Sequence, residues 1–448
     1  MPVAVVLATL AVSADQAKLP LTAETLFDAK KVSTIDLTFT REMWDALTPA
    51  PSRSFPSPRV DGFKGPEGKR NGISALNGLD FEYVHAAFAI DGRRFTDVGV
   101  RYKGNGTYTS GRSLNKISFK VDLNKYVKGQ SLAGVTTLNL HSNITDASWM
   151  NEVLAYRLYR DFDVPAPRTS YARVYITVTG ARARRYAGLY SIVENVDDRF
   201  GATHFGVKGG AIFKPVTQRV FADLGRDWAR YNQAYDPKTP LSEADKARVF
   251  ELCDLVTHAS DSAYAAKLPA ILDLDAFARY AAVLVWLANP DSVLQQGQNY
   301  YVYLHPPTRQ LAFIPWDQDH SFGQFAWGSE WQQQNLDILR PWTSSNRFLE
   351  RTFAVPAFRQ RYLAALERLT RTLTQPDRVS AQVDELAAVL GPVVVDEPLT
   401  GRYDLFRKAV AGQSFDRPFY GGTVMPIKPF VRIRQASVLK QLQQARGR

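Results

Sequence analysis

Two aspartates, Asp317 and Asp319, follow a pair of strand patterns at residues 300–304 and 311–314. Both segments are rich in aromatic and β-branched residues, and a turn that contains two prolines separates them. If the two strands pair about this turn, Asn299 falls opposite Asp317 to within one residue. Carboxylate and amide oxygens are the ligands that magnesium prefers in proteins. The spacing therefore predicts a hairpin with a metal site at its open end; the alternative is that the aspartates only end a strand.

Basic residues at alternate positions mark two earlier strands. The first strand follows an Asp-Gly turn and carries Arg101 and Lys103 on one face. The second, predicted over residues 116–122, carries Lys116 and Lys120 on one face. If the strands are neighbours, their polar faces form one basic surface. Such a surface can hold phosphate groups, and the alternative is that it is simply solvated.

The connection between these strands, residues 104–115, is small, polar and rich in glycine. Its backbone N–H groups could close over phosphates. It matches neither of the two glycine motifs that bind nucleotide phosphates. A plain flexible hairpin loop is therefore the favoured interpretation.

A helix is predicted over residues 149–162, with Asp146 or Ser148 at its N-terminus. The apolar residues of this segment form a packing stripe, and Glu152 lies off the stripe beside Trp149. Glu152 is thereby free to pair with a lysine of the strands. The alternative is an ordinary exposed glutamate on a helix.

Two further carboxylates stand at the ends of predicted elements. Glu194 closes a hairpin predicted over residues 171–193. Asp291 follows an apolar helix predicted over residues 274–287, which ends at an Asn-Pro pair because proline cannot continue a helix. Asp291 therefore lies in the loop that leads to the hairpin of Asp317.

The composition narrows the class of protein. The chain has 448 residues, which predicts one large two-lobed domain or two to three domains. Apolar residues make up 45% and charged residues 22%, which argues against long disordered stretches. The formal net charge of +11 favours anionic partners. Because the sequence has no long basic run and no nucleic-acid-binding motif, nucleic acid is not expected among them.

The single cysteine, Cys253, excludes an internal disulfide, and its apolar surroundings predict a buried structural thiol. The first 14 residues are apolar and end in small residues, as a secretory signal does, although a basic start is missing. This segment favours an extracellular or cell-envelope location, with a cytoplasmic one as the alternative. No later segment approaches the roughly 18 apolar residues of a membrane span.

The order of these elements predicts an α+β fold with two lobes, similar to that of a protein kinase. The predicted parts are an N-terminal segment (residues 1–32), a β-rich N-lobe (33–195), a mainly helical C-lobe (196–375) and a helical extension of it (376–448). In a kinase-like fold, a lysine contacts the phosphates, an aspartate and an asparagine hold magnesium, and a loop aspartate accepts the proton of the acceptor hydroxyl.

The chain also resembles the CotH kinase family, which is related to a spore-coat protein. The resemblance covers nearly the whole chain after its first 32 residues. The segments that carry it are VGVRYKG (98–104), KISFK (116–120), the helix from Asp146 with PAPR (165–168), GLY (188–190) with Glu194, NYYVY (299–303), PWDQD (315–319) and FG (322–323). Its most specific parts are the RYKG stretch and the hairpin.

This resemblance implies an atypical kinase that uses ATP with Mg²⁺ and transfers phosphate to Ser or Thr hydroxyls of a protein substrate. Asp291 matches the catalytic base and Asp317 the metal-binding aspartate. Asn299 is expected as the second magnesium ligand, with Asp319 as a lesser candidate. Asp291 precedes Asn299 by eight residues, and the sequence lacks a His-Arg-Asp triplet, so the catalytic loop departs from that of ordinary kinases.

The same resemblance assigns the nucleotide site. Lys116 is the first choice for the lysine that contacts the phosphates, Lys103 is the second, and Glu152 is the expected ion-pair partner. Arg101 and Glu194 lie in the matching segments and are expected in the same site.

Two other functions stay open at this stage. The first is a non-catalytic adhesion or structural protein that keeps the fold. The second is a metal-dependent hydrolase that uses the same carboxylates to activate water. Against the hydrolase, the histidines have no metal-ligand spacing, and each is expected as a surface or satisfied polar histidine. These are His141, His204, His305 and His320.

Overall fold

The computed structural model describes six ranges of the chain: residues 21–49, 79–104, 106–325, 328–342, 345–417 and 421–446. The apolar N-terminal segment, for which a secretory signal is predicted, and most of residues 50–80 lie outside these ranges.

Seven strands form a closed barrel. They are β1 (Val32–Phe39), β2 (Val84–Ile90), β3 (Arg93–Lys103), β4 (Ser118–Asp122), β5 (Thr137–His141), β6 (Thr169–Val178) and β7 (Arg182–Glu194). Their order around the barrel is β1-β2-β3-β4-β5-β7-β6. Strand β1 pairs antiparallel with β2 and in parallel with β6, and this parallel pairing closes the barrel.

Hydrophobic alternation accounts for the first two strands. Every second residue of β1 is buried, and β2 has the same pattern, so both strands turn one apolar face into the barrel. Between β2 and β3, Asp91 has φ 47° and Gly92 has φ 81°, as a two-residue hairpin turn requires. The carboxylate of Asp91 also accepts hydrogen bonds from Ser33 Oγ at 3.0 Å and Thr34 N at 2.8 Å. The hairpin predicted at the Asp-Gly pair is confirmed.

Most of the remaining chain is helical. The helices are α1 (Ala23–Leu26), α2 (Arg41–Ala46), α3 (Thr107–Ser113), α4 (Asn151–Asp161), α5 (Asp198–Phe205), α6 (Trp228–Tyr235), α7 (Glu243–His258), α8 (Asp261–Ile271), α9 (Leu274–Trp286), α10 (Glu330–Gln334), α11 (Arg347–Ala354), α12 (Pro356–Thr372), α13 (Pro376–Val394), α14 (Arg402–Ala411) and α15 (Ile427–Arg446). As predicted, α9 begins after Asp273, whose carboxylate accepts hydrogen bonds from the backbone N–H groups of Asp275 and Ala276.

Two smaller sheets complete the fold. One contains β10, β9 and β8 in that order, and the other contains β11 and β12. Their strands are β8 (Ala211–Phe213), β9 (Tyr300–Leu304), β10 (Leu311–Pro315), β11 (Phe415–Asp416) and β12 (Thr423–Val424). In the β9–β10 hairpin Tyr300 faces Pro315, and Trp316 N donates to Asn299 O at 3.1 Å. The predicted hairpin and its register are confirmed.

The glycine-rich connection between β3 and β4 differs from its prediction as a plain loop. Its residues 107–113 form α3. Tyr108 of this helix is buried, and its ring lies 4.7 Å from that of Phe81 and 5.8 Å from that of Tyr102. Burial of this aromatic ring favours an ordered helical turn over a flexible loop, a tertiary effect that local composition does not reveal.

The fold is mixed α+β, with a large sheet and many helices. Buried hydrophobic residues form one large cluster inside the barrel and another around α9, α12 and the β9–β10 hairpin. Cys253 is fully buried in the second cluster, as predicted. Across the described ranges, no helix has both the length and the apolar character needed to cross a membrane.

Candidate functional site

A cavity of about 480 Å³ lies between the barrel strands β3 to β5 and the open end of the β9–β10 hairpin. Charged side chains of both signs line it. The basic ones are Arg101, Lys103, Lys120, Lys214 and Lys238, and the acidic ones are Asp80, Glu82, Glu152, Asp236, Asp317 and Asp319. A cavity this polar suits a charged ligand better than an apolar one.

Asp317 and Asp319 enter the cavity just after β10. Asp317 has φ 54°, in the left-handed region that aspartate tolerates, and its N–H donates to Tyr156 Oη at 2.9 Å. Asp319 accepts a hydrogen bond from Thr145 Oγ1 at 2.5 Å on its Oδ2, and its backbone oxygen accepts one from Asn151 Nδ2 at 2.8 Å. Contacts from α4 and the loop before it therefore orient both aspartates.

Glu152 of α4 reaches the same part of the cavity through a histidine. Its Oε2 lies 2.7 Å from His141 Nδ1, and Nε2 of His141 is hydrogen-bonded to Lys103 Nζ. Burial, followed by the charge of Lys103, holds the pKa of His141 well below its usual range. His141 is therefore neutral, and its Nδ1–H donates to Glu152 while its Nε2 accepts from Lys103. The predicted lysine–glutamate pair is bridged by a histidine.

These carboxylates fit a divalent cation. The ligand atoms of His141, Glu152 and Asp317 all lie within 4.8 Å of one another. Glu152 Oε1 is buried without a hydrogen-bond partner in the described part of the chain. Burial raises the pKa of Glu152 and of Asp319, and the negative charge of Asp317 raises both further. A Mg²⁺ ion here would relieve the repulsion among these carboxylates and would offer Glu152 Oε1 a partner. The carboxylate oxygens therefore fit Mg²⁺.

The basic side chains of the cavity lie close to one another. The β3–β4 register sets Arg101 directly beside Lys120, whose Nζ donates to Asn195 Oδ1 at 3.0 Å. Burial, with Arg101 and Lys103 nearby, lowers the pKa of Lys120 well below its usual range. Burial and the charges of Lys238 and Lys103 lower the pKa of Lys214 to about 7. An anion such as a phosphate group would stabilise the charged form of these amines.

Several lining residues were missed from the sequence, among them His141, Lys214 and Lys238. His141 was expected among ordinary polar histidines, but it ends β5 and faces α4. Lys214 follows β8, and Lys238 lies beyond α6, in the part of the chain predicted as a mainly helical C-lobe. Lys214 packs over the rings of Trp316 and Tyr301, 5.5 Å from each centroid, so only the tertiary fold brings it to the hairpin.

Asp291 lies near Asp317 but does not line the cavity. Its carboxylate accepts hydrogen bonds from Gln298 Nε2 and from Asn299 Nδ2, each at 3.0 Å. Burial raises the pKa of Asp291, and the charge of Asp317 contributes to this rise. The amide nitrogen of Asn299 also donates to the backbone oxygen of Asp291 at 2.9 Å. The structure thus joins Asn299 to Asp291 and not to the cavity, and its predicted role as a magnesium ligand gains no support from this geometry.

Lys116, the first choice for a phosphate contact, is not brought to the cavity. It is 1% exposed and donates to Glu397 Oε1, with the rings of Trp149 and Tyr190 at 5.1 and 5.5 Å. The predicted strand began at residue 116, but β4 begins at Ser118. Asn115, just before Lys116, has φ 53°, which breaks the alternation and turns Lys116 away from the other basic side chains.

Glu194 also points away from the cavity. It accepts hydrogen bonds from Arg168 Nε at 3.1 Å and from His204 Nε2 at 3.0 Å. Burial alone would raise its pKa, but these two partners lower the pKa of Glu194 to about 2. Its neighbour Asn195 lines the cavity instead. Glu194 therefore anchors the end of β7, whereas Arg101, Lys103 and Glu152 all line the cavity.

Carboxylates suited to a divalent cation and amines suited to phosphate line one cavity, which gives the site the chemistry of a protein that binds a phosphorylated ligand together with a metal ion. A family model described as "CotH kinase protein" matches residues 100–416, and the chain belongs to this family. The resemblance stated from the sequence is thereby confirmed. Membership suggests kinase activity.

Two curated relatives come from Bacillus subtilis (strain 168). Inner spore coat protein H is 22% identical over 327 residues, which cover 71% of this chain and 83% of the relative. Inner spore coat protein H-like protein is 24% identical over 286 residues, or 63% of this chain and 76% of the relative. Among solved structures, the Shewanella oneidensis MR-1 complex of HipA, HipB and operator DNA matches with 14% identity and a TM-score of 0.29, over 69% of this chain and 57% of that chain.

Proposed function

We propose that this protein is an atypical kinase that uses Mg-ATP and transfers the terminal phosphate to a Ser or Thr hydroxyl of a protein substrate. The observation that carries the proposal is that one cavity is lined by both carboxylates and lysines. Membership of the CotH kinase family supports it. The proposal includes the two-lobed kinase-like arrangement, with the barrel as N-lobe and the helical part as C-lobe.

The basic side chains bind and orient the nucleotide. Lys103, Lys120 and Lys214 all line the cavity and would contact phosphate oxygens, each through a charge-assisted hydrogen bond. Asp317, Asp319 and Glu152 would hold the magnesium ion that comes with the nucleotide. When bound, this ion neutralises the negative charge of the phosphates. The polar cavity thereby positions the nucleotide for transfer.

Asp291 is the proposed acceptor of the proton. The hydroxyl oxygen of the substrate forms a bond to the terminal phosphorus, the bond from that phosphorus to the oxygen of ADP breaks, and the hydroxyl proton moves to an oxygen of Asp291. The hydrogen bonds from Gln298 and Asn299 hold the carboxylate in one orientation. The raised pKa of Asp291 makes it a better base than an exposed aspartate.

The names of the relatives suggest where the acceptor is found. Both are described as inner spore coat proteins or similar to them. We propose that this chain acts at a coat or cell envelope and that its substrate is a protein of that layer. The apolar N-terminal segment predicted from the sequence is consistent with such a location.

Nucleotide binding and product analysis test the proposal. Mg-ADP at one hundred times its Kd is expected to stabilise the folded protein by about 2.7 kcal/mol, seen as a raised melting temperature. Mass spectrometry after incubation with Mg-ATP and a candidate acceptor should find phosphate on a Ser or Thr. Asp291→Asn should keep the ADP-induced shift and lose the phosphorylated product. No shift with ADP in the unchanged protein would disprove the proposal.

A second candidate, a metal-dependent hydrolase, has one observation in its favour. His141, Glu152 and Asp317 are close enough to share a metal ion that activates water. Both ring nitrogens of His141 are already engaged, which favours the kinase. Phosphate release without labelled acceptor, or an adenylylated product, would replace the kinase proposal. Binding of ADP with no turnover at all would favour the non-catalytic adhesion protein.

A further inference from the structure

A buried arginine near the C-terminus holds the loop before α4. Arg402 begins α14 and is only 4% exposed. Its Nη2 donates to Asn143 O and to Asp146 O, each at 2.7 Å, and its Nη1 donates to Ile144 O at 3.1 Å. One guanidinium group therefore satisfies three carbonyl oxygens of the loop formed by residues 143–146. The loop cannot shift without leaving several buried polar groups unpaired.

The same loop carries the hydroxyl that orients Asp319. Thr145 Oγ1 donates to Asp319 Oδ2 at 2.5 Å. Asn151, just after the loop, donates through Nδ2 to Asp319 O, and its own N–H donates to Asp146 Oδ2 at 2.9 Å. The side chain and the backbone of Asp319 are thus both held by residues attached to the loop that Arg402 fixes.

A buried ion pair fixes the position of Arg402 itself. Glu397, five residues earlier, pairs with Lys116, and the two side chains are 0% and 1% exposed. Glu397 Oε2 also accepts a hydrogen bond from Leu189 N at 2.9 Å. The segment from residue 397 to residue 402 is therefore attached to β7, to the residues before β4 and to the loop before α4.

We infer that four residues, Lys116, Thr145, Glu397 and Arg402, position Asp319 for binding a divalent cation, and we call this set the brace. The inference rests on the proposed function only in the identity of the ion, which would accompany the nucleotide. Thr145 contacts Asp319 directly, and Arg402 acts through the loop that carries Thr145. All four are positioning residues, because none is placed against the reacting atoms. The brace links a segment that follows Asp317 by about 80 positions in the chain to Asp319 in the cavity.

Manganese binding by the full chain tests this inference without any turnover. Free and bound Mn²⁺ are measured by electron paramagnetic resonance as MnCl₂ is added. Thr145→Val removes only the hydroxyl and is expected to weaken Mn²⁺ binding by about 10- to 100-fold, the usual effect of losing a hydrogen bond to a metal ligand. Thr145→Ser keeps the hydroxyl and should bind Mn²⁺ nearly as the unchanged protein does.

Arg402→Met tests the more distant part of the brace and needs a matched control. Arg351 is also buried and donates to three carbonyl oxygens, those of Leu255, Val256 and Ala259 near the end of α7. Arg351→Met should lower stability as Arg402→Met does, but only Arg402→Met should weaken Mn²⁺ binding. Measurements are made at a temperature at which melting curves show both variants folded. If Arg402→Met does not fold at any temperature, Thr145→Val alone decides.

The outcomes separate this inference from the proposed function. Unchanged Mn²⁺ affinity in Thr145→Val would overturn the inference, as would an unchanged protein that binds no Mn²⁺. An equal loss of Mn²⁺ affinity in Arg402→Met and Arg351→Met would mean that Arg402 only stabilises the fold, and it would overturn the place of Arg402 in the brace. A protein that binds Mn²⁺, loses it in Thr145→Val and phosphorylates nothing would support the brace and refute the kinase.

Discussion

Two lysines of this protein, the buried Lys116 and the half-buried Lys214, have opposite surroundings. Lys116 has a carboxylate partner in Glu397 and two aromatic rings beside its amine. Lys214 packs over aromatic rings as well, but within the described residues its amine has no hydrogen bond or ion pair, and removal from solvent together with the charges of Lys238 and Lys103 lowers its pKa. A paired buried charge supports the architecture, whereas like charges gathered in a cavity leave room for a ligand of the opposite charge.

Removing the proposed metal-binding carboxylate of Asp317 should have the largest effect among the residues of the cavity. Asp317→Asn is expected to lower the rate of phosphate transfer by on the order of 10³- to 10⁵-fold, as other losses of charge neutralisation do in phosphoryl transfer. The measurement is labelled phosphate incorporated per unit time under saturating Mg-ATP. As a control, Asp377→Asn changes an exposed aspartate of α13 and should leave the rate unchanged. A rate within tenfold of the unchanged protein would remove Asp317 from the metal site.

Breaking the buried ion pair between Lys116 and Glu397 tests the structural role of Lys116. Lys116→Met leaves Glu397 as an uncompensated buried charge and should lower the free energy of unfolding by about 3–5 kcal/mol, measured by urea denaturation. The double variant Lys116→Met/Glu397→Leu removes both charges and should recover a large part of this loss. If Lys116→Met keeps full stability and instead loses nucleotide binding, Lys116 contacts the nucleotide and its structural assignment is wrong.

Removing the amine of Lys214 should give the reverse result. Lys214→Met is expected to weaken ADP binding by about 1.5–3 kcal/mol, the contribution of a charge-assisted hydrogen bond. Its stability should not fall, since the substitution relieves repulsion among neighbouring lysines. Isothermal titration with ADP and a urea melt of the same sample provide both numbers. A clear loss of stability with unchanged ADP affinity would mean that Lys214 is a structural residue like Lys116.

A smaller effect concerns pH. The pKa of Lys214 is lowered to about 7, so its amine is charged below that pH and loses its proton above it. Because the proposed contact is between ADP and the charged amine, the affinity for ADP should fall as pH rises from 7 to 9, by at most about tenfold per pH unit. Lys214→Arg remains charged over this range and should show a shallower fall.

Metal-free ADP in EDTA is the probe for this pH measurement, so that cation binding does not enter it. Glu152 and Asp319, whose pKa values are raised, also lose protons as the pH rises and repel the anion. They do so in both proteins, and the difference between the two pH profiles therefore reports Lys214. Identical slopes would exclude Lys214 from the phosphate contacts.

Local pattern predicted the elements that depend on neighbouring residues. The Asp91-Gly92 turn, the cap of α9 and the register of the β9–β10 hairpin are all set by short-range backbone preferences. The positions of Arg101 and Lys103 followed from strand alternation. These predictions needed no knowledge of the tertiary fold.

The misplaced residues depend on contacts distant in sequence. Lys116 was assigned to the basic face because alternation was extended two residues too far, and its partner Glu397 lies 281 residues away. Similarly, the bridge from Lys103 through His141 to Glu152 joins two strands and a helix, so no local spacing encodes it. The predicted domain boundaries and the two-lobed arrangement remain predictions.

The pairing of Lys116 with Glu397 has a consequence for the order in which the chain acquires its structure. During synthesis the strands of the barrel are made long before residue 397, and domains generally begin to fold from the N-terminal side. Until Glu397 arrives, burying Lys116 would enclose an unpaired charge. We therefore expect the barrel to remain incompletely closed around Lys116, with local opening and a greater tendency to aggregate, until the C-terminal residues are available to complete it.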